Sequence, residues 1–182
     1  EKLALTVPAE ISNENIPSGK NLSDMLVAGE IDALLTAQVP LPYVKRAPQV
    51  KRLFEDPRRA ETEHFRRTGI FPIMHVMVIR EEFYRRHPWL AQSLYKALLE
   101  SKTHCIEAIY RNDAIHSALP WTAQHAEGVR DLMGKDFWPY GVEANRNVLE
   151  TFLRYSVEQG LTPKRLLVED LFSKETQETF HV

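Results

Sequence analysis

The chain of 182 residues contains one cysteine, Cys105. No intrachain disulfide can form, so cohesion must come from a buried apolar core. A reducing compartment is compatible with a lone thiol, and a cytoplasmic location is expected. No apolar run approaches the roughly 20 residues that a membrane-spanning helix needs, so a membrane is not an expected partner. The formal net charge is −2. That leaves no strong field of one sign, and nucleic acid is not an expected partner either. Glycine is sparse, with seven residues, and neither a glycine-rich phosphate loop nor a Gly-x-Ser-x-Gly elbow is present. His64, His75, His87, His104, His116 and His125 show no metal-ligand spacing of the HExxH kind, so no metal is expected. Repeats and low-complexity segments are absent as well.

What remains is a balanced composition, 43% hydrophobic and 26% charged, which is the composition of a globular domain. Leu3–Val7 reads as a strand ended by Pro8. Asn21 or Ser23 can cap a short helix that runs to Ala28, and Gly29 sits where a C-terminal cap glycine belongs. Ile31–Ala37 (IDALLTA) then reads as a buried strand. Pro40, Pro42 and Pro48 mark an irregular connector. Val50–Phe54 is a strand or a helical turn, and Asp56–Arg67 is a solvated helix or loop. Ile73–Ile79 (IMHVMVI) is apolar on both faces, as an interior strand should be.

Helices follow. Glu81–Arg86 starts one, and His87-Pro88 opens a long amphipathic helix carrying Leu90, Leu94, Leu98 and Cys105 on one stripe, where the thiol is expected to be packed. A further helix is expected over Thr122–Met133 and another around Val148–Val157, ended by Gly160. Thr162-Pro163 opens a last short helix, and Leu167–Phe172 packs the tail. Strand, helix, glycine, strand is the rhythm of an α/β protein.

Three constellations could carry chemistry. His75 is a lone imidazole in an apolar segment. The residues by themselves favour a core histidine bonded to a carbonyl; the functional reading is a proton donor at a cleft. Arg66, Arg67 and Thr68 precede Gly69 and could hold a carboxylate, since arginine presents a planar fork to it; the structural reading is a solvated basic patch paired with Glu61 and Glu63. Trp138 and Tyr140 lie in an aromatic loop followed by Asn145 and Arg146. Rings with amide and guanidinium donors suit an aromatic acid, and a loop plugging the core edge is the structural reading.

Three segments also resemble a known family. GEIDALLTA at Gly29–Ala37 is similar to the helix–glycine–strand element of type II periplasmic-binding-protein folds. RRTGIFPIMHVMVIR at Arg66–Arg80, with the His87-Pro88-Trp89 helix, resembles 4,5-dihydroxyphthalate decarboxylases. WPYGVEANR at Trp138–Arg146, EQGL at Glu158–Leu161 and Asp170-Leu171-Phe172 resemble that family's C-terminal end. The resemblance implies an α/β fold of the periplasmic-binding-protein type II kind, with two lobes about a ligand cleft. The chain, which begins at Glu1 rather than Met, would be a C-terminal portion of it. Residues 1–48 would be part of lobe two, and residues 49–182 the crossing strand and C-terminal helices of lobe one.

The activity implied is decarboxylation of a hydroxylated aromatic dicarboxylic acid, in aromatic-acid and phthalate breakdown. His75 would donate the ring proton and Arg66 or Arg67 would clamp the retained carboxylate. Trp138 and Tyr140 would contact the ring. A para hydroxyl can feed electrons to the protonated carbon, so no cofactor is expected. The small aromatic acid is the expected partner, and self-association into a homo-oligomer stays open. The alternative on the same fold is a non-catalytic solute-binding protein that passes a small organic acid to an ABC transporter.

Overall fold

The computed structural model describes residues 8–111 and 117–177. The strand expected at Leu3–Val7 lies outside them. The chain divides into two units, one ending at Glu61 and one beginning at Thr62.

The first unit holds two short helices, α1 (Leu22–Ala28) and α2 (Leu41–Val44), which pack together. Asn21 caps α1, its side-chain oxygen accepting from the Asp24 amide at 3.0 Å. Gly29 closes it at φ 71°, and its amide and that of Glu30 turn back to Leu26 and Met25. This is the left-handed exit that glycine makes cheap.

The second unit carries α3 (Pro57–Thr68, begun just before the division), α4 (Glu81–Arg86), α5 (Trp89–Tyr110), α6 (Thr122–Met133) and α7 (Arg146–Glu158). Short 3₁₀ turns lie at Glu143–Asn145, Val168–Asp170 and Lys174–Thr176. The helix α5 packs against α6 and against the Lys174–Thr176 turn. The core sits on α7: Leu149 and Leu153 are buried with Val142 and Val168, and Leu166 and Phe172 close over them. Spacing of i, i+4 places both leucines on one face of the helix. Ser156, one turn further, is buried too, its hydroxyl donating to the Phe152 carbonyl at 2.9 Å.

The α/β expectation is corrected by this architecture. Among the described residues there is no β-strand, and the fold they form is helices joined by irregular segments. The periplasmic-binding-protein type II-like fold therefore does not describe them. The described strand candidates fail for one reason: a strand needs a neighbour to take up its N–H and C=O groups, and periodicity reports side chains only.

After Gly29 the chain bends through residues 31–37, with Leu35 fully exposed, and the Gln38 amide turns back to the Thr36 hydroxyl at 3.3 Å. Residues 73–79 form no ladder with any described residue, and Val78 is 81% exposed. His75 is likewise exposed rather than a core histidine. Residues 50–54 are neither strand nor helical turn.

Two helical expectations are also corrected. No helix opens at Thr162-Pro163, because the amides of Leu161 and Thr162 both bond back to the Ser156 carbonyl, at 2.8 and 3.1 Å, and so close α7 instead. Cys105 is exposed, since α5 turns that position away from its packing partners.

Candidate active site

An open cleft of ≈ 1290 Å³ lies in the second unit. Its sides are the irregular segment 71–79, the loop 136–142 and the face of α5 around Leu94, Tyr95 and Leu98. The C-terminal stretch 169–174 borders it, and Val142 and Leu149 carry it down onto the core. A cleft of this size exceeds the needs of a one-ring acid.

Four of the expected site residues meet here: His75, Trp138, Tyr140 and Asn145. The Trp138 ring lies 5.8 Å from that of Phe71, tilted by 60°, so the cleft has an aromatic wall built from both sides. The side-chain amide of Asn145 donates to the carbonyls of Pro139 and Gly141, at 2.9 and 2.8 Å. Its donors thus hold the loop in shape.

The other four expected residues lie elsewhere. Arg66 and Arg67 are exposed in the last turn of α3, where cations offset the helix dipole. Thr68 ends that helix: its hydroxyl donates to the His64 carbonyl at 2.8 Å and accepts from the Ile70 amide at 3.1 Å, and its carbonyl accepts from Asn147 at 3.0 Å. Arg146 is shared among Glu143 at 3.1 Å, Glu169 at 2.8 Å and Glu150 at 3.7 Å. Hydrogen bonds to Glu143 and then Glu169 push its guanidinium further above its ordinary range, so it stays charged and committed.

The electrostatics of the cleft sort by partner. Its carboxylates are occupied. Glu81 accepts from Arg85 at 2.6 Å, and Asp136 is paired with Lys102 at 2.9 Å. Asp170 accepts the Leu167 amide at 3.0 Å, and Glu169 holds Arg146. The Glu169 carboxyl sits below the usual carboxylate range, through its own backbone amide first and Arg146 second. By contrast Lys174, which also borders the cleft, is in no side-chain hydrogen bond or close ion pair among the described residues, and its charge acts on Glu175 only as a minor influence. It is the cation with a free hand for an anionic ligand.

Lys174 is set in place by its neighbour. The Tyr84 hydroxyl donates to Glu175 Oε2 at 2.6 Å. That bond holds the Glu175 carboxyl below its ordinary range. The same bond, with burial, raises the Tyr84 phenol. A depressed carboxyl supports folding above its unfolded pKa, and a raised phenol does so below its own. The contact therefore stabilises between those limits and is lost in acid as Glu175 protonates or in alkali as Tyr84 ionises.

Gly141 ends the loop at φ 97°, and a Cβ there would meet the Tyr95 hydroxyl oxygen at 2.9 Å. Both the backbone angle and the close approach require glycine. Gly141→Ala is expected to destabilise the fold by about 1–3 kcal/mol, the usual cost of a side chain in such a region. Urea unfolding followed by circular dichroism measures it, and a variant with unchanged stability would contradict this placement.

Lys102, Asp136, Tyr84 and Lys174 escaped the sequence reading. For Lys102 one signal existed. It falls four residues beyond Leu98 and so continues an apolar helix face with a charge. The others come from distant segments and carry no local pattern. Among the described residues no group of three or more His, Cys, Asp or Glu is arranged to hold a metal ion.

The cleft thus brings together an aromatic wall, an exposed imidazole and Lys174. No family model matches the sequence. Along all 182 residues the chain is 36% identical to a 4,5-dihydroxyphthalate decarboxylase of Comamonas testosteroni, and it spans 55% of that relative's length. Over 66 residues it is 36% identical to a 4,5-dihydroxyphthalate decarboxylase of Pseudomonas putida, covering 36% of this chain and 26% of that one. The whole chain is thus similar to part of a 4,5-dihydroxyphthalate decarboxylase.

Proposed function

We propose that the protein removes one carboxylate, as CO2, from a hydroxylated aromatic dicarboxylic acid of the 4,5-dihydroxyphthalate kind. The observation that carries this reading is the 36% identity along the whole chain to a relative named for that activity. The cleft adds chemistry that suits it.

The hydroxyl para to the departing carboxylate pushes an electron pair into the ring. The ring carbon that bears the carboxylate takes a proton from the His75 imidazolium. The carbon–carbon bond to the carboxylate then breaks, CO2 leaves, and the bonding pair restores the aromatic ring and the phenol. One carboxylate is replaced by one hydrogen; the phenolic oxygen ends with the proton it began with, and His75 is recharged by one proton from solvent, the net proton the reaction consumes. The Lys174 ammonium holds the retained carboxylate, a role that falls to it rather than to Arg66 or Arg67 because it faces the cleft. Trp138 and Phe71 flank the ring. Positioning of the ring against these side chains lowers the barrier.

The test is direct. The protein is mixed with 4,5-dihydroxyphthalate, and CO2 and protocatechuate are followed. Turnover is the expected result. Tight binding without product would replace the enzyme with a solute binder, and neither binding nor product would overturn both.

A further inference from the structure

The loop that presents Trp138 and Tyr140 to the cleft has little regular structure of its own, and its ordering comes from two outside grips. On one flank Asn145 holds the carbonyls of Pro139 and Gly141. On the other stands Lys102, from the middle of α5. Its ammonium lies 2.9 and 3.0 Å from the two oxygens of Asp136 and 3.3 Å from the Trp138 carbonyl. An ammonium has three N–H donors, and three acceptors are present. The same nitrogen stands 5.1 Å from the centre of the Tyr140 ring, within cation–π range.

The Lys102 side chain is only 10% exposed, against 55% for Asp136. A cation this shielded depends on its partners more than an exposed pair would, because removal from water costs free energy that only close acceptors offset. One side chain therefore touches Asp136, Trp138 and Tyr140, three alternate positions of the loop.

We infer that Lys102 is the positioning residue of this site: it holds the loop 136–140 in the conformation that turns Trp138 and Tyr140 toward the ligand. It touches neither the ring nor the proton and acts through the aromatic wall. The ligand arm of this inference rests on the proposed decarboxylation; the loop arm does not.

The experiment compares Lys102→Met, Lys102→Arg and Asp136→Asn. All three are made in a Trp89→Phe, Trp121→Phe background, so that Trp138 is the sole tryptophan reporter. Trp89 and Trp121 are 62% and 73% exposed, so their replacement empties no core. Lys102→Met is expected to raise KM for 4,5-dihydroxyphthalate by about tenfold, as loss of a charged hydrogen-bonding group does, while kcat changes far less. Acrylamide quenching of Trp138 rises in the same variant. Lys102→Arg restores most of both, because it keeps a donor for Asp136 and Trp138.

Unchanged KM and unchanged quenching in Lys102→Met overturn the inference, and so does an equal fall in kcat with KM intact. If Lys102→Met does not fold, Asp136→Asn decides. Increased quenching of Trp138 supports the grip, and none overturns it. If the parent neither binds nor converts 4,5-dihydroxyphthalate, the proposed function fails, and Trp138 quenching alone judges the loop.

Discussion

Replacing His75 by Asn is expected to slow decarboxylation of 4,5-dihydroxyphthalate by about 10²–10⁴-fold, the usual contribution of a positioned proton-transfer group. Asparagine keeps a hydrogen-bond donor of similar size but has no proton to release near neutral pH. Among the described residues lining the cleft, His75 is the sole imidazole. It is also exposed, so the substitution removes no buried contact and folding should be preserved. Substrate affinity should change little, because the proposed contacts to the retained carboxylate and the ring come from Lys174 and the aromatic wall. Steady-state kinetics separate the two parameters. A kcat close to that of the parent would remove His75 from the mechanism.

Leu153→Ala is expected to destabilise the second unit by about 2–5 kcal/mol, the range for truncating a buried leucine. Leu153 is 6% exposed and shares a cluster with Val142, Leu149 and Val168. Few apolar side chains among the described residues are buried as deeply, so little else can fill the space. The effect reaches the site, because Val142 and Leu149 line the cleft as well as the core. Urea unfolding followed by circular dichroism measures the loss. A change under about 1 kcal/mol, well short of what a cavity in a packed core costs, would mean that α7 does not carry the fold.

The helices were largely legible in advance. The Asn21 cap, the left-handed Gly29, the start of α5 just after Pro88, and α6 at Thr122–Met133 all stand where local chemistry placed them. Each depends on contacts within a few residues, so short-range sequence contains the information. The aromatic loop at Asp136–Val142 was legible for a similar reason, since Pro139 and Gly141 interrupt regular structure.

The segment Ile73–Ile79 was not. Its pattern gives a strand apolar on both faces, yet the described structure shows it exposed and without a ladder. Strand formation depends on a lateral partner, and no pattern within one segment contains that partner.

The site divides in the same way. That this chain carries an imidazole in an apolar segment, and rings beside an asparagine and an arginine, was determined by sequence alone, as was its likeness to 4,5-dihydroxyphthalate decarboxylases. Which of these side chains share a cleft was decided only by tertiary structure. Arg66 and Arg67 were attractive carboxylate clamps by residue type, but the end of α3 puts them outside the cleft, while Lys174, about a hundred positions later, faces it. Arg146 had the right charge and adjacency, and three carboxylates engage it. Lys102 sits thirty-four residues before its partner Asp136. A charge identifies itself in a sequence, but its partner is set by how helices pack, and it is the partner that leaves the charge free for a ligand or commits it to the fold.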